Sequence, residues 1–146
     1  MAYDVAIIDV PAQSLAVVRR RATLNELPAA LREAFDQVWD FLGEHNVVTG
    51  HNVVLYLDQV FNLEAGVQVM STLPAHESIV ASETPAGRVA TTTHYGPYED
   101  LTLAHTAIAR SVIGGGLQVA GPNWEVYGDW DEDPEKLRTD VYYLLK

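Results

Sequence analysis

The chain has no cysteine, which removes disulfides, thiolate metal sites, thiol redox chemistry and cysteine nucleophiles. It has no apolar run near the roughly 18 residues that a membrane span needs, and its opening Met-Ala-Tyr-Asp-Val-Ala-Ile-Ile carries no basic segment ahead of an apolar one. The expectation is a soluble, cytoplasmic protein with no membrane partner. Positive charge is scarce: 9 Lys+Arg against 20 Asp+Glu give a formal net charge of −11. That field repels nucleic-acid backbones and anionic membranes, so no direct nucleic-acid binding is expected. The basic cluster Arg19-Arg20-Arg21 ends a β-rich run and reads as a solvated edge. Histidines at helical metal-site spacing are also lacking. His45 and His51 flank a loop, His76 sits in a linker, and a turn separates His94 from His105. No metal or cofactor is expected.

What remains is the composition of a globular domain, 48% hydrophobic over 146 residues, long enough to bury one core. Residues 1–146 read as a single domain with two similar halves, approximately 1–73 and 77–146. Pro11-Ala12 and Pro85-Ala86 each precede an alternating run, and Asn52-Val-Val-Leu-Tyr-Leu-Asp58 matches Asn123-Trp-Glu-Val-Tyr-Gly-Asp129 in its Asn, Tyr and Asp. In the first half, strands are expected at 3–10 and 14–20, joined as a hairpin through Pro11-Ala12-Gln13. A helix follows from Asn25, its N-cap, to about Asn46, with a stripe of Leu27, Leu31, Ala34/Phe35, Val38 and Leu42. Strands near 52–58 and 64–70 complete the half. The linker Ser71–Ser78 is marked by Leu73-Pro74-Ala75-His76, which breaks periodicity. The second half repeats the order with strands near 78–83 and 87–95, a helix from about Pro97 to Ile113, and strands near 123–129 and 138–145. Leu101, Ala104/His105, Ile108 and Val112 form the helix stripe, and Gly114-Gly115-Gly116 ends it. The fold class is therefore α+β, a pseudo-twofold duplication of a ββαββ unit. It is an antiparallel sheet with two helices on one side, whose halves enclose a shared cleft.

Repeated halves should differ where one of them acquired a function, and the clearest difference is Val54 in the first against Glu125 in the second. In Trp124-Glu-Val-Tyr127, alternation puts Glu125 and Tyr127 on one strand face and Trp124 and Val126 on the other. If Val54 points inward, so does Glu125. An inward carboxylate is costly without a partner and is stabilised by a cation, so Glu125 reads as the acidic anchor of a pocket. Its alternatives are a solvated position at the sheet rim, or a structural acceptor for tyrosine hydroxyls. Aromatic residues supply candidate walls: Tyr95 and Tyr98 flank Gly96-Pro97, Tyr56 and Tyr127 are repeat equivalents, Trp39 lies on the first helix, and Tyr142 on the last strand. Aromatic walls around one carboxylate suit flat organic cations.

At His94-Tyr-Gly-Pro-Tyr-Glu-Asp-Leu101 with Ala104-His105, Gly121-Pro-Asn-Trp-Glu-Val-Tyr-Gly128 and Leu137-Arg-Thr-Asp-Val-Tyr-Tyr-Leu144, the chain resembles the GyrI-like effector-binding domains. These include gyrase-inhibitory proteins and the ligand-binding domains of AraC- and MerR-type multidrug regulators. The resemblance covers nearly the whole chain and implies a pseudo-symmetric pair of ββαββ-type halves. It also implies that the motif glutamate, here Glu125, lies in an aromatic pocket receiving cationic lipophilic compounds. The chain departs from similar sequences at Val112, where an aromatic is commonplace. Three functions compete. The first is a stand-alone binding module, a sensor or drug sequestrant. The second is a hydrolase of electrophilic small molecules in which Glu125 activates water with Tyr127 as a supporting donor. The third is gyrase-inhibitor-type interaction with a protein partner, gyrase or a regulator, through the acidic run Asp129-Trp-Asp-Glu-Asp-Pro-Glu135. That run also reads as a solvated hairpin turn.

Overall fold

Eight β-rich runs separated by turn residues become eight strands, and the two amphipathic runs become two helices. The computed structural model describes residues 3–58, 62–74 and 76–146; Ala75 of the expected linker lies outside them. In chain order the elements are β1 (Ala6–Val10), β2 (Ser14–Arg21), α1 (Leu27–Glu44), β3 (Thr49–Tyr56), β4 (Asn62–Val69) and β5 (Val80–Glu83). They continue with β6 (Gly87–Tyr95), α2 (Leu101–Gly114), β7 (Val119–Tyr127) and β8 (Arg138–Leu145). All strands belong to one antiparallel sheet of order β1-β6-β8-β7-β3-β4-β2-β5. Exchanging the halves leaves that order unchanged, which is a twofold topology. Its axis passes between β3 and β7, where Val54 lies directly opposite Glu125.

One expectation is corrected. β1 and β2 do not form a hairpin: β1 pairs with β6, Val10 opposite Gly87, while β2 pairs with β4 and β5, Ser14 opposite Glu83. The halves thus exchange their first strands. Two-residue hairpin turns need positive φ, supplied by Gly or Asn, and Pro11-Ala12-Gln13 has neither. The chain instead runs on extended past Pro11. At the crossing the Thr84 amide donates to the Gln13 carbonyl and the Gln13 amide to Thr84 Oγ1, both at 3.0 Å.

Because β1 at one edge runs straight on into β2 near the other, the sheet must curl. The curl buries Leu15, Val17, Val53, Leu55, Val89 and Trp124 on the face that carries no helix. Gly66 makes the bend possible. A Cβ there would lie 1.8 Å from the Ala16 carbonyl oxygen, so only glycine lets the β2 backbone approach β4 this closely.

Both helices pack on the other face. α1 buries Ala34, Val38, Phe41 and Leu42 against Ala16, Val18, Ala65 and Val67. α2 buries Leu101, Ala104, Ile108 and Val112 against Ala90, Val141 and Leu145. Each fully buried aliphatic side chain contributes about 1.5–3 kcal/mol. Asn25 is not the N-cap expected of it. Thr23 and Glu26 form a Thr-x-x-Glu box one turn earlier, the Thr23 amide and hydroxyl both donating to Glu26 Oε1 at 3.0 and 2.8 Å. Beyond the helix ends, Asn46 (φ 53°) and Gly116 (φ 68°) adopt left-handed conformations. Among the described residues, no helix is long and apolar enough to cross a membrane.

Candidate functional site

The two helices lie over different halves of the sheet, and the groove between them, floored by β3 and β7, is a cavity of about 720 Å³. That size is within the usual range for small-molecule sites, about 300–1,000 Å³. One wall is the first turns of α1, with Leu27, Leu31 and Phe35. The floor carries Asn52 and Tyr56 of β3 with Glu125 and Tyr127 of β7. The second wall is Tyr98, Leu101 and His105, and Trp130 stands at the mouth. Tyr127 joins the two helix-face cores, packing on both. Phe35 and Tyr98 meet its ring edge-on from opposite sides, at centroid distances of 6.4 and 5.6 Å.

Glu125 is 5% exposed, and each carboxylate oxygen has a close partner, with the Tyr56 hydroxyl also hydrogen-bonding to the carboxylate. The Tyr127 hydroxyl donates to Oε1 at 2.6 Å, and His105 Nε2 lies 2.6 Å from Oε2. The far nitrogen of the imidazole, Nδ1, is 2.6 Å from the Tyr143 hydroxyl. The result is a continuous run of hydrogen bonds, Tyr143–His105–Glu125–Tyr127, across three elements. Burial first, and then the Glu125 charge, push the Tyr127 hydroxyl well above its ordinary pKa. The same two causes, in the same order, raise Tyr56 and Tyr143, and burial alone raises Tyr98. The phenols therefore stay neutral at physiological pH and serve as donors and ring faces. The chemistry of the cavity is one buried carboxylate on its floor, the exposed Glu99 carboxylate in its wall, one imidazole and a set of aromatic rings. Such a set can hold a cation by charge and π-face attraction and can also pass a proton.

Strand alternation explains where the aromatic residues singled out in the sequence come to lie. Glu125, Tyr127, Tyr56 and Tyr98 share the cavity. Tyr95 is on the opposite face of β6, 57% exposed, in a separate depression of about 620 Å³ with Arg138 and Trp130. Tyr142 also points away from the helices and stacks on Trp124 at 5.3 Å and 11°. Trp39 lies outside the wall on the solvent side of α1 and reaches it only by donating from Nε1 to Asn52 Oδ1 at 2.7 Å. Val112 is buried in the α2 core, away from the cavity. His105 and Tyr143 are the residues that sequence reasoning passed over. Their signal was a polar side chain at an inward helix position, Leu101-His105-Ile108-Val112, and the odd-numbered parity of β8 that sends Val141, Tyr143 and Leu145 toward the helices. The acidic run 129–135 is a turn that hydrogen-bonds to itself: the Asp133 amide donates to Asp131 Oδ1 at 2.8 Å and the Glu135 amide to Asp133 Oδ1 at 3.1 Å.

Comparison with known proteins follows the same geometry. The family described as GyrI-like small molecule binding domain matches residues 3–146. Among solved structures, the C-terminal domain of EcmrR superposes with a TM-score of 0.85 at 17% identity, covering 100% of this chain and 99% of that one. SAV2435 bound to tetraphenylphosphonium superposes with a TM-score of 0.68 at 12% identity, covering 100% and 94%. A hydrolase encoded by lin2189 from Listeria innocua gives a TM-score of 0.67 at 10% identity, covering 97% and 91%. At these identities the likenesses establish the fold. No match was found among curated protein sequences.

Proposed function

Since the chain belongs to the GyrI-like small-molecule-binding domain family, we propose that its cavity binds lipophilic, cationic aromatic molecules and that Glu125 is the charge that selects them. The observation carrying this reading is a buried carboxylate without a guanidinium or ammonium partner among the described residues, set in aromatic walls between two helices. A buried carboxylate met by hydroxyls and a neutral imidazole leaves a negative potential in the cavity, and a ligand cation complements it. Tyr56, Tyr98 and Tyr127 offer ring faces to the same cation, and Leu27, Leu31 and Phe35 offer apolar surface to its substituents. The module acts as a sensor or as a sequestrant of such compounds.

The natural probe is tetraphenylphosphonium, the ligand in the SAV2435 structure. Calorimetric titration should show binding by the wild type. Glu125→Gln should weaken it by about 2–5 kcal/mol, the usual loss when one member of a desolvated charge pair is removed. Triphenylphosphine oxide, neutral and similarly aromatic, should lose much less. Equal losses for both compounds would return Glu125 to a purely structural role.

A second reading, hydrolysis of electrophilic ligands, is favoured by the contact of Glu125 with His105. A carboxylate and an imidazole in contact can take the proton of a water that adds to a bound electrophile; a Listeria innocua neighbour of the same fold is described as a hydrolase. Mass spectrometry of an electrophilic aromatic ligand before and after incubation separates binding from turnover.

A further inference from the structure

Glu125 does not face the cavity alone. His105 occupies its second oxygen at 2.6 Å, and an imidazole is a side chain that can hold or release a proton while keeping its hydrogen bonds. Its surroundings are specific. It contacts Glu125 of β7 and Tyr143 of β8, and it shares the cavity lining with Tyr127 of β7, Tyr56 of β3, and Tyr98 and Glu99 of the turn ahead of α2. α1, the facing wall, presents Leu27, Pro28, Leu31 and Phe35, with no charge. His105 is therefore the one basic group in the wall, and its only strong charge partner is the carboxylate that a cationic ligand would use.

The ring is also held so that it can change protonation without moving. Nε2 keeps a proton for Glu125 in both states. Nδ1 faces the Tyr143 hydroxyl at 2.6 Å, and a phenol hydroxyl can accept from Nδ1–H or, after rotating its own hydrogen, donate to the bare nitrogen. Burial and the Glu125 charge keep that phenol neutral, so both roles stay open to it. His105 is a fifth exposed at its side chain, which gives the leaving proton a route through the cavity mouth.

Resting on the reading of the cavity as a cation site, we propose that His105 sets its preference between cationic and neutral ligands by exchanging a proton for the incoming cation. With the imidazole charged, the Glu125–His105 pair is neutral and the cavity accepts uncharged aromatics. When a cation enters, the Nδ1 proton leaves to solvent, the Tyr143 hydroxyl turns to donate to Nδ1, and the carboxylate charge is handed to the ligand. One positive charge replaces another, and the pair of side chains stays in place. Thermodynamic linkage makes the effect reciprocal: acid weakens cation binding by the same factor by which the cation discourages protonation.

The experiment is calorimetric titration with tetraphenylphosphonium between pH 5.5 and 8.5, in pairs of buffers of different ionisation enthalpy. Wild type should release a fraction of a proton that rises toward one on the acid side, where affinity falls up to about tenfold per pH unit. In His105→Gln, which keeps a hydrogen-bonding side chain without a titrating one, proton release should vanish and affinity should be flat across the range. PH-independent binding by wild type, or linkage retained in His105→Gln, overturns the proposal while leaving the cation site intact. Absence of tetraphenylphosphonium binding at every pH would overturn the cation site as well. The pair is read separately by NMR titration of the His105 imidazole in ligand-free protein, where Glu125→Gln should lower its midpoint. An unchanged midpoint also rejects the exchange.

Discussion

Among the described residues the molecule buries two carboxylates to nearly the same depth, and it surrounds them differently. Glu64 on β4 is 4% exposed and Glu125 on β7 is 5% exposed. Glu64 faces away from the helices. There Arg19, its cross-strand neighbour, donates from Nε at 2.8 Å, and the Ser82 hydroxyl takes the other oxygen. Its charge is cancelled by a guanidinium that cannot lose its proton. Glu125 faces the helices and is met by a phenol and an imidazole at the floor of a cavity. Depth of burial therefore does not distinguish a structural carboxylate from a binding one. On the proposed reading the partner does: a permanent cation neutralises the Glu64 charge, whereas hydroxyls and an imidazole leave that of Glu125 open to a ligand.

The largest expected effect tests that distinction by breaking each carboxylate's arrangement in turn. Glu125→Gln should cost about 2–5 kcal/mol in cation affinity while moving the urea midpoint little, since an amide of the same shape can accept from His105 through its oxygen and donate through its NH2 to the Tyr127 hydroxyl, which can turn to accept. Arg19→Gln should do the reverse. It strands a buried anion, but the Arg19 side chain is 64% exposed, so water screens the pair and the loss is about 1–2 kcal/mol of stability and not the 3–5 of a fully buried pair. Ligand affinity should be unchanged. If Arg19→Gln weakens the ligand as much as Glu125→Gln does, the two carboxylates are not separable by partner.

A smaller effect sharpens the comparison through pH. Tyr127 and Tyr56 are pushed above the ordinary tyrosine value first by burial and second by Glu125. Nothing comparable surrounds Glu64. A group whose folded pKa is raised contributes stability that is complete below the unfolded pKa, near 10, and is lost as pH climbs through the folded value. Urea midpoints should therefore fall from about pH 10 upward, by as much as roughly 1.4 kcal/mol per pH unit for each phenol held neutral. Tyr56→Phe should reduce that slope in part, since one of the phenols held neutral in the folded chain can no longer ionise in the unfolded one. An identical alkaline slope in Tyr56→Phe would show that the cavity phenols ionise as freely folded as unfolded.

The inward direction of Glu125 was legible because two independent patterns agreed on it, the alternation in Trp124-Glu-Val-Tyr127 and the match of that run to residues 52–58. Helix positions were legible from periodicity, although the cap was misplaced because the Thr23–Glu26 box brackets Asn25. Strand partners were not legible. Whether β1 folds back on β2 or crosses to β6 depends on contacts about eighty residues away, and the local hint, a turn without Gly or Asn, is easily outweighed by the hairpin pattern around it. The His105 contact was hidden for a similar reason. A histidine in an apolar helix stripe looks like core until the opposite strand is known to carry a glutamate. In β8, two adjacent tyrosines point to opposite faces, so a one-residue shift in register exchanges Tyr143 for Tyr142.

That parity supports the smallest prediction. Tyr98 and Tyr95 are neighbours in sequence and both sit at the turn around Gly96-Pro97, yet Tyr98 meets Tyr127 edge-on at 5.6 Å inside the cavity while Tyr95 points from the far face of β6. Tyr98→Ala removes an aromatic pair worth about 0.5–1.5 kcal/mol and a ring face open to the cation, so tetraphenylphosphonium affinity should fall by about 1 kcal/mol. Tyr95→Ala removes a side chain that is mostly in water and shares no wall with Glu125, and affinity should stay within about 0.5 kcal/mol of wild type, as it does for surface substitutions generally. The two variants differ little in composition and lie three residues apart, so general loosening of the turn would affect them alike. A loss in Tyr95→Ala clearly larger than that in Tyr98→Ala would mean that ligand is bound on the helix-free face, where Tyr95 stands, and that the cavity over Glu125 is not the site.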